Sequence, residues 1–442
     1  MQNTSDVLPV FKHYLDKHGS LVFSWLGLMP FVLASDPQLA QEILNSQHCV
    51  NKCLIYKAID DASGRGLFSL KEPHWSAHRR LINPAFALKV LQSFLPIFNA
   101  ETTSLLKVVD SLVDCGEKNL IPLMRSLALN ISTLQKPQWA VKLIAVSTLK
   151  TTNYSKLIVD MCLSPWLLSR TVRQLLGREK KYAKAKTQIN GFLFKLIESK
   201  LAKGSEAHLE TEEDKNIFLN LATDLVHRGI FTKQEVKNHS ANIVFAAFET
   251  TTNTVVYTLI LLAMFPEYQE KAFQEPRSLF PSTGDFEVTY RDTQNMVYLD
   301  LIMNESMRVL APVPIVARQT MQDVRLSNGV VIPKGVQIVV DIFHLHRDKK
   351  VWGENAETFN PDHFLPIHMQ DRHPYSFIPF TKGIRNCIGW RYALISIKVI
   401  LAKLLRNYKF STSFKFEDFE FVEDITLEFK TVPLLEIQRR NC

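Results

Sequence analysis

Helical periodicity dominates the first two thirds of the sequence, and its longest stretch predicts a helix from about Lys233 to Phe265 that ends before Pro266. A second helix is predicted from Asn295 to Leu310, where Pro312 and Pro314 prevent its continuation. Beyond these prolines the period changes from helical to strand-like. We therefore expect a mainly α protein with a small β portion, folded over residues 1–442 as a single large domain or as two intimately packed lobes.

Shorter elements complete this prediction. Segments with apolar residues three and four apart predict early helices, and Asn328-Gly329 between two short apolar runs predicts a hairpin. The expected elements are helices at Gln38–Leu44, Ala85–Phe98 and Thr102–Leu112, a loop at Lys203–Lys215, the hairpin at Val324–Ile332, a strand at Gln337–Ile342, an irregular segment at Trp352–Pro379 and a last helix at Ile388–Arg406.

Composition limits the class of protein. The chain has 442 residues, of which 46% are hydrophobic and 22% charged, with only 15 Gly, as in an ordered globular protein. Six scattered cysteines are too few for a disulfide framework and favour a reducing compartment. The net charge of +8 is dispersed and indicates an acidic partner or anionic lipid. The short basic run Arg178–Lys186 reads as a solvated helix face, so no nucleic acid is expected as a partner.

No apolar run reaches membrane-spanning length. The longest candidate, Val255–Phe265, includes Tyr257 and Thr258 and ends at Pro266. The N-terminus also lacks the basic flank and apolar centre of a signal peptide. These features predict a soluble or peripherally attached protein.

The strongest chemical motif is Phe380–Gly389 (FTKGIRNCIG), in which two glycines bracket Cys387 just before the last helix. Gly383 and Gly389 lack a Cβ atom, so the backbone can turn tightly and approach a flat cofactor. A thiolate at a helix N-terminus is favoured by the helix dipole, as a soft anionic iron ligand requires. Arg385 could pair with a carboxylate on the same face. A lone cysteine at this place would otherwise be read as an inert buried thiol.

This segment resembles the haem-binding signature of the cytochromes P450, F-x-x-G-x-R-x-C-x-G, at every specified position from Phe380 to Gly389. The resemblance implies haem b (iron protoporphyrin IX) as the cofactor, Cys387 as its proximal iron ligand and Arg385 as a contact of a propionate. It also implies the mostly helical cytochrome P450 fold.

A second motif, Glu305-Ser306-Met307-Arg308, resembles the E-x-x-R element of the same family. Glu and Arg three residues apart share one helix face, and an exposed helix salt bridge is the ordinary alternative. In the family an arginine of the following irregular segment completes the network. Here His363 occupies that position, and a histidine can donate a hydrogen bond but need not carry a charge.

The long helix contains Ala246-Ala247-Phe248-Glu249-Thr250-Thr251, which resembles the oxygen-activation motif A-G-x-(D/E)-T-T. By this resemblance Thr250 hydrogen-bonds dioxygen and Glu249 relays protons. Such a relay calls for local opening of the helix, and Ala247 replaces the usual glycine. Threonines tolerated on a packed helix are the alternative interpretation. Because Ala246 stands where some fatty-acid hydroxylases carry a glutamate, no covalent haem ester is expected.

Further cationic candidates lie in two other segments. Trp75-Ser76-Ala77-His78-Arg79 resembles the W-x-x-x-R element, in which Trp75 and Arg79 share a helix face and meet the haem propionates. The segment from Pro312 to Arg318 resembles the family region whose apolar residues line the substrate cavity and whose arginine, here Arg318, reaches a propionate.

The resemblance runs from about Trp75 to Asn407, and Phe286–Pro314 is similar to the clan of fatty-acid ω-hydroxylases and many insect members. It implies insertion of one oxygen atom from O2 into a lipophilic small molecule, with electrons from NADPH through a reductase and cytochrome b5 as an optional further partner. It also implies the cytosolic face of the endoplasmic reticulum membrane.

Two departures leave another function open. The family's N-terminal anchor and Pro-rich hinge are expected to be missing here, and Leu134–Met161 does not resemble the corresponding family region. With Ala247, they favour a haem-binding protein without turnover, such as a sensor, a sink or an inactive remnant. Peroxide isomerisation without external electrons is disfavoured because it has little use for Glu249 and Thr250.

Overall fold

The computed structural model describes residues 7–133, 156–184, 186–187, 218–282, 284–423 and 425–440. The whole of the predicted loop Lys203–Lys215 and residues 134–155 of the unusual segment lie outside this range; residues 156–163 are helical. The labelled helices are α1 (Val7–His18), α2 (Pro37–Asn45), α3 (Lys57–Ser63), α4 (His74–Ile82), α5 (Leu88–Gln92), α6 (Leu95–Asp110), α7 (Ile121–Thr133), α8 (Arg170–Leu175), α9 (Phe218–His227), α10 (Lys233–Met264), α11 (Pro266–Leu279), α12 (Tyr290–Asn295), α13 (Val297–Val309), α14 (Ile342–Leu345), α15 (Lys349–Trp352), α16 (Pro366–Met369) and α17 (Trp390–Asn407).

The β portion of the described residues is small and forms four sheets. The largest has the order β1-β2-β6-β3, in which β2 and β6 are parallel while β1 and β3 form antiparallel edges. The other sheets pair β4 with β5, β7 with β10 and β8 with β9. The strands are β1 (Leu21–Leu26), β2 (Met29–Ala34), β3 (Ile315–Gln319), β4 (Val324–Arg325), β5 (Val331–Ile332), β6 (Gln337–Asp341), β7 (Tyr408–Ser411), β8 (Phe421–Glu423), β9 (Leu427–Phe429) and β10 (Glu436–Arg439). The prediction of a mainly α protein with a small β portion is confirmed.

The central helix is α10. A capping box formed by Thr232 and Glu235 starts it, and Pro266 follows its end. Residues 251–263 are continuously buried, and α10 packs against α7, α13 and α17. By length and composition α10 could cross a membrane, but 61% of its apolar window is buried inside the protein, as in the core helix of a soluble protein. The predicted boundaries Lys233 and Phe265 are accurate to one residue.

The predicted helix Ala85–Phe98 is wrong in its boundaries. Residues Asn83–Phe86 form a 3-10 turn, and α5 ends at Gln92. The next helix, α6, starts at Leu95 and includes residues 99–101, which were predicted to separate two helices. Pro96 explains the restart, because a residue without an N–H group is tolerated in the first turn of a helix and disrupts its interior.

The elements that surround the predicted functional residues match expectation more closely. The Asn328-Gly329 turn joins β4 to β5 with a φ of 84° at Gly329. The last helix, α17, begins two residues later than predicted, after Gly389. Together, α10, α17, α4 and β3 bring the sequence motifs toward one region of the molecule.

Candidate functional site

A cavity of about 1070 Å³ lies between α10 and the loop that precedes α17. Its wall is mainly apolar and includes Phe68, Val244, Phe245, Val313 and Val316. Eight of the residues predicted from the motifs line it: Trp75, Arg79, Glu249, Thr250, Phe380, Arg385, Cys387 and Gly389. The fold thus brings together residues that are more than 300 positions apart in the sequence.

The loop before α17 presents the thiol of Cys387 to this cavity. The N–H of Cys387 donates to the carbonyl of Phe380 at 3.0 Å, and Thr381 takes a positive φ of 54°. The Cys387 side chain has accessible area, but it opens into the cavity and protein encloses it. Burial therefore raises the pKa of the Cys387 thiol, while the N–H of Gly389 and the charges of Arg79 and Lys52 oppose the increase.

Gly383 is part of this loop but is not among the residues that line the cavity. Its φ is +78°, and a Cβ atom there would overlap the carbonyl oxygen of Leu44 in α2. Close packing of two backbone segments, rather than an approach to a flat cofactor, therefore requires glycine here. Gly389 has an ordinary φ of −92°, and a Cβ atom there would meet only Phe86 at 4.0 Å.

Replacing Gly383 by alanine is expected to lower the free energy of unfolding by about 3 kcal/mol, because the left-handed backbone costs about 1–2 kcal/mol and the overlap with Leu44 adds a similar amount. Gly353→Ala is the matched control, since Gly353 has a φ of +81° and nothing lies within 4 Å of the added Cβ. Denaturant unfolding of both variants measures the difference. Equal losses would show that the contact with Leu44 has no energetic weight.

Four cations lie around the loop and the cavity. Arg385 is 7% exposed, donates to the carbonyls of Val50, Phe68 and Leu70 at 2.8–3.0 Å, and lies over the ring of Trp75 at 4.8 Å. Arg79 donates to the backbone and side-chain oxygens of Asn386 at 3.1 and 3.2 Å. The W-x-x-x-R helix is thereby joined directly to the cysteine loop.

The other two cations are Lys52 and Arg318. Arg318 is 1% exposed and donates to the carbonyl of Ala317 at 3.0 Å, but it is not among the residues that line the cavity. Lys52, which sequence analysis did not select, lines the cavity and is 8% exposed, with its ammonium over the rings of Tyr56 and Phe68 at 4.5 and 5.0 Å.

These four cations have no carboxylate counter-ion among the described residues. Within the described part of the chain, no carboxylate forms an ion pair with Lys52, Arg79, Arg318 or Arg385. Burial, together with the repulsion of Arg318 and Arg385, lowers the pKa of Lys52 well below its usual value. Burial, together with the repulsion of Arg318 and Arg79, lowers the pKa of Arg385 to about 9. Uncompensated buried charge is costly, so the arrangement fits a ligand that carries two carboxylates. A haem has two propionates on one edge, and the residues present fit it.

The segment Ala246–Thr251 faces the cavity from α10. Thr250 Oγ1 donates to the carbonyl of Ala246 at 2.8 Å, and Thr254 Oγ1 donates to that of Thr250 at 2.8 Å. The helix is regular throughout, so the expected local opening is not observed. Ala247 in place of glycine is consistent with this, because alanine stabilises a helix interior by about 1 kcal/mol relative to glycine.

The side-chain hydrogen bonds of Glu249 and Thr250 are made to other residues. The Glu249 carboxylate accepts a short hydrogen bond from Arg125 of α7, which also donates to Glu428 of β9 at 3.2 Å. Burial disfavours the charge of Arg125, but the two carboxylates outweigh this effect and raise its pKa. Sequence analysis did not select Arg125. It is the one charged residue of α7, and an isolated charge in an otherwise uncharged helix could have identified it as a candidate.

The E-x-x-R element forms a buried network on α13, away from the cavity. Arg308 donates to both oxygens of Glu305 at 2.7 Å, and both side chains are 0% exposed. His363 Nδ1 lies 3.0 Å from Glu305, and the N–H of Asn360 donates to it at 2.8 Å. Burial raises the pKa of Glu305, but its hydrogen bonds to Arg308 and His363 outweigh this and lower it. His363, at the position predicted for the third partner of the E-x-x-R network, is therefore within hydrogen-bond distance of Glu305.

A pair of histidines joins α4 to α10 next to Arg79. His239 Nδ1 accepts the N–H of Leu67 at 3.1 Å, so Nε2 carries the proton and donates to His78 Nδ1 at 2.9 Å. Protonating His78 at Nδ1 removes this acceptor. Burial, with the repulsion of His78, lowers the pKa of His239 to about 4, and the carboxylate of Glu235 opposes the shift.

The fold is therefore expected to lose stability in mild acid. Because the pKa of His239 is lower in the folded than in the unfolded protein, its contribution is fully present above about pH 6.5 and is lost as the pH falls towards 4. This difference in pKa corresponds to about 3 kcal/mol. His239→Asn keeps an acceptor for Leu67 and should flatten the decline in unfolding free energy between pH 6.5 and 4.5, whereas the exposed control His13→Asn should not. An equal decline in both variants would exclude the histidine pair as its cause.

A cavity-facing thiol at the start of a helix, surrounded by cations that have no counter-ion among the described residues, defines a site of the haem–thiolate class. The family model for cytochrome P450 matches residues 3–426. The chain belongs to the cytochrome P450 family, and it is a haem–thiolate monooxygenase.

Several curated proteins are similar over nearly the whole chain. Probable cytochrome P450 313a4 of Drosophila melanogaster is 60% identical over 100% of this chain and 91% of its own length. Probable cytochrome P450 313a3 of the same organism is 44% identical over 97% of this chain and 88% of its own length. Cytochrome P450 4c3, also of Drosophila melanogaster, is 27% identical over 94% of this chain and 81% of its own length. The similarity to insect cytochromes P450 that the motifs implied is confirmed.

Proposed function

We propose that this protein hydroxylates a lipophilic small molecule, such as a fatty acid, a hormone-like lipid or a xenobiotic, with two electrons from NADPH delivered by a reductase. One oxygen atom of O2 enters a C–H bond of the substrate, and the other leaves as water after uptake of two protons. The observation that carries the proposal is the apolar cavity of about 1070 Å³ whose wall contains both the Cys387 thiol and the Glu249-Thr250 pair.

Cys387 is proposed as the proximal ligand, and the haem, when bound, supplies the oxygen-activating iron chemistry. The positive charges of Arg79 and Lys52 and the N–H of Gly389 favour the thiolate form of Cys387. Arg79, Arg385, Arg318 and Lys52 are proposed to neutralise the propionates. Trp75, Phe380 and Gly389 are proposed to complete the cofactor pocket, with Gly383 fixing the loop against α2.

Thr250 and Glu249 are proposed to transfer protons from the side of the cavity that α10 forms. Thr250 Oγ1 donates to Ala246 in the resting helix and must rotate toward the reacting oxygen to pass a proton to it. Glu249 then resupplies the proton after its carboxylate leaves Arg125. Glu305, Arg308 and His363 are proposed as structural groups that hold the irregular segment before the cysteine loop.

An exposed apolar surface supports attachment to a membrane, which we propose to be the cytosolic face of the endoplasmic reticulum. At the β1–β2 hairpin Phe23, Trp25 and Leu28 are 54%, 68% and 97% exposed. Trp166, which is 55% exposed, packs beside this hairpin at Gly27. Tryptophan and leucine at one surface are typical of membrane-interface contacts, so the hairpin is proposed to dip into the lipid headgroups.

Cations around the cysteine loop support docking of an acidic electron donor, a reductase with cytochrome b5 as an optional second donor. Arg80 and Arg391 are exposed, and they adjoin the Arg79–Asn386 contact and the start of α17. Complementary charge increases association rates and is weakened by salt.

Two measurements test the proposal. The reduced, CO-bound protein should show the spectrum of a thiolate-ligated haem, and with a reductase it should consume NADPH and form hydroxylated product from at least one lipophilic substrate in a panel that includes fatty acids. A correctly ligated haem that forms no product from any of them would refute the enzyme function and favour a haem-binding role without turnover.

A further inference from the structure

Arg125 joins three separate parts of the cavity wall. It projects from α7, donates a short hydrogen bond to Glu249 of α10, and donates to Glu428 of β9 at 3.2 Å. The Arg125, Glu249 and Glu428 side chains are 11%, 14% and 22% exposed, and all three residues line the cavity. The charge cluster is therefore partly shielded from bulk solvent and adjoins the space available to a substrate.

Glu428 belongs to the β8–β9 hairpin, which lines the same cavity with Val422, Ile425, Thr426 and Phe429. The hairpin is anchored next to its turn. The N–H of Leu427 donates to the carbonyl of Pro312 at 3.0 Å, and Asn253 of α10 donates to Thr426 at 3.2 Å. A substrate that contacts the hairpin therefore presses on the element that carries Glu428.

The cluster contains one positive charge and two negative charges. One guanidinium serves two carboxylates, both through the same terminal nitrogen, while the buried Nε of Arg125 has no hydrogen-bond partner among the described residues. Arg125 is thus imperfectly satisfied in this arrangement. A small displacement of either carboxylate changes how strongly Arg125 holds the other, because both compete for one donor.

We propose that Arg125 is a positioning residue for Glu249 and that Glu428 competes for it, so that the β8–β9 hairpin sets the orientation of Glu249. When Glu428 is drawn toward Arg125, Glu249 is released toward Thr250; when Glu428 withdraws, Arg125 retains Glu249. A substrate that fills the cavity and moves the hairpin thereby affects the proton supply. This inference rests on the proposed role of Glu249.

A double-mutant cycle measures the coupling between Arg125 and Glu249. Arg125→Gln is expected to lower the ratio of product formed to NADPH consumed about fivefold in the native background and to change it little in Glu249→Gln. Arg125→Lys, which keeps the charge but loses the planar fork, should have an intermediate effect. Arg173→Gln is the matched control, because Arg173 is a buried arginine shared by Asp61 and Glu179 that does not line the cavity. An equal loss in both backgrounds would overturn the positioning role.

Hydrogen exchange tests the link to the hairpin without reference to turnover. Amides of residues 421–429 in the full-length protein should exchange about fivefold faster in Arg125→Gln and Glu428→Gln than in the native protein, and should be unchanged in Arg173→Gln. Unchanged exchange in both cavity variants would overturn the link between Arg125 and the hairpin. If the exchange increases but Glu249→Gln leaves the product ratio unaffected, then the proposed proton path fails and the hairpin does not act through it.

Discussion

Replacing Cys387 by alanine should abolish hydroxylation, with turnover reduced at least about a thousandfold, because the proposed iron ligand that donates electron density is removed. The reduced, CO-bound spectrum should lose the thiolate signature at the same time. Spectroscopy and turnover are measured on the same purified sample, so that loss of haem is distinguished from a change of ligand.

Cys53→Ala is the control for this substitution. Cys53 is 3% exposed, lies next to Lys52 in the chain, and is not among the residues that line the cavity. Removing its sulfur should cost about 1 kcal/mol of stability and leave the spectrum unchanged. A Cys387→Ala protein that retained the thiolate spectrum would identify another residue as the ligand and refute the assignment of the loop.

The residues of the sequence motifs could be predicted, whereas Lys52 could not. The cysteine loop directly precedes α17, and Glu249 and Thr250 lie within α10. Helical periodicity predicted the boundaries of both helices to within two residues. Lys52 could not be found this way, because it lies in a short irregular segment and reaches the cavity only through tertiary packing. Its location depends on contacts between distant segments, which periodicity does not encode.

Other differences have local causes. The break between α5 and α6 follows from Pro96, a signal present in the sequence but outweighed by the apolar period around it. The regular course of α10 has two causes. Alanine replaces glycine at Ala247, and the threonine hydroxyls donate to carbonyls four residues earlier, so the hydroxyls have partners without any opening of the helix. Gly383 was predicted to let the backbone approach a flat cofactor, whereas in the structure its positive φ and close packing against Leu44 account for the glycine.

Loss of Arg308 should have the largest effect on stability. Arg308→Ala leaves the Glu305 carboxylate 0% exposed and without its guanidinium, and it removes the donor to the carbonyls of His346 and Ala356, which lie 2.9 and 2.6 Å from Arg308. Removing one partner of a buried pair costs about 3–5 kcal/mol. Unfolding free energy and the fraction of protein that retains haem are both expected to fall. Arg228→Ala, which breaks an exposed pair with Asp224, should cost no more than about 0.5 kcal/mol.

The pH dependence identifies the cause of this loss. In the native protein the hydrogen bonds to Glu305 lower its pKa despite burial, so its contribution is present above the usual pKa of a glutamate and is lost in acid. Without Arg308, burial dominates and favours the protonated carboxyl group. The penalty of Arg308→Ala should therefore be larger at pH 8 than at pH 5, as measured by denaturant unfolding at both values. A penalty independent of pH would show that lost packing and unpaired carbonyls, rather than the uncompensated charge of Glu305, destabilise the variant.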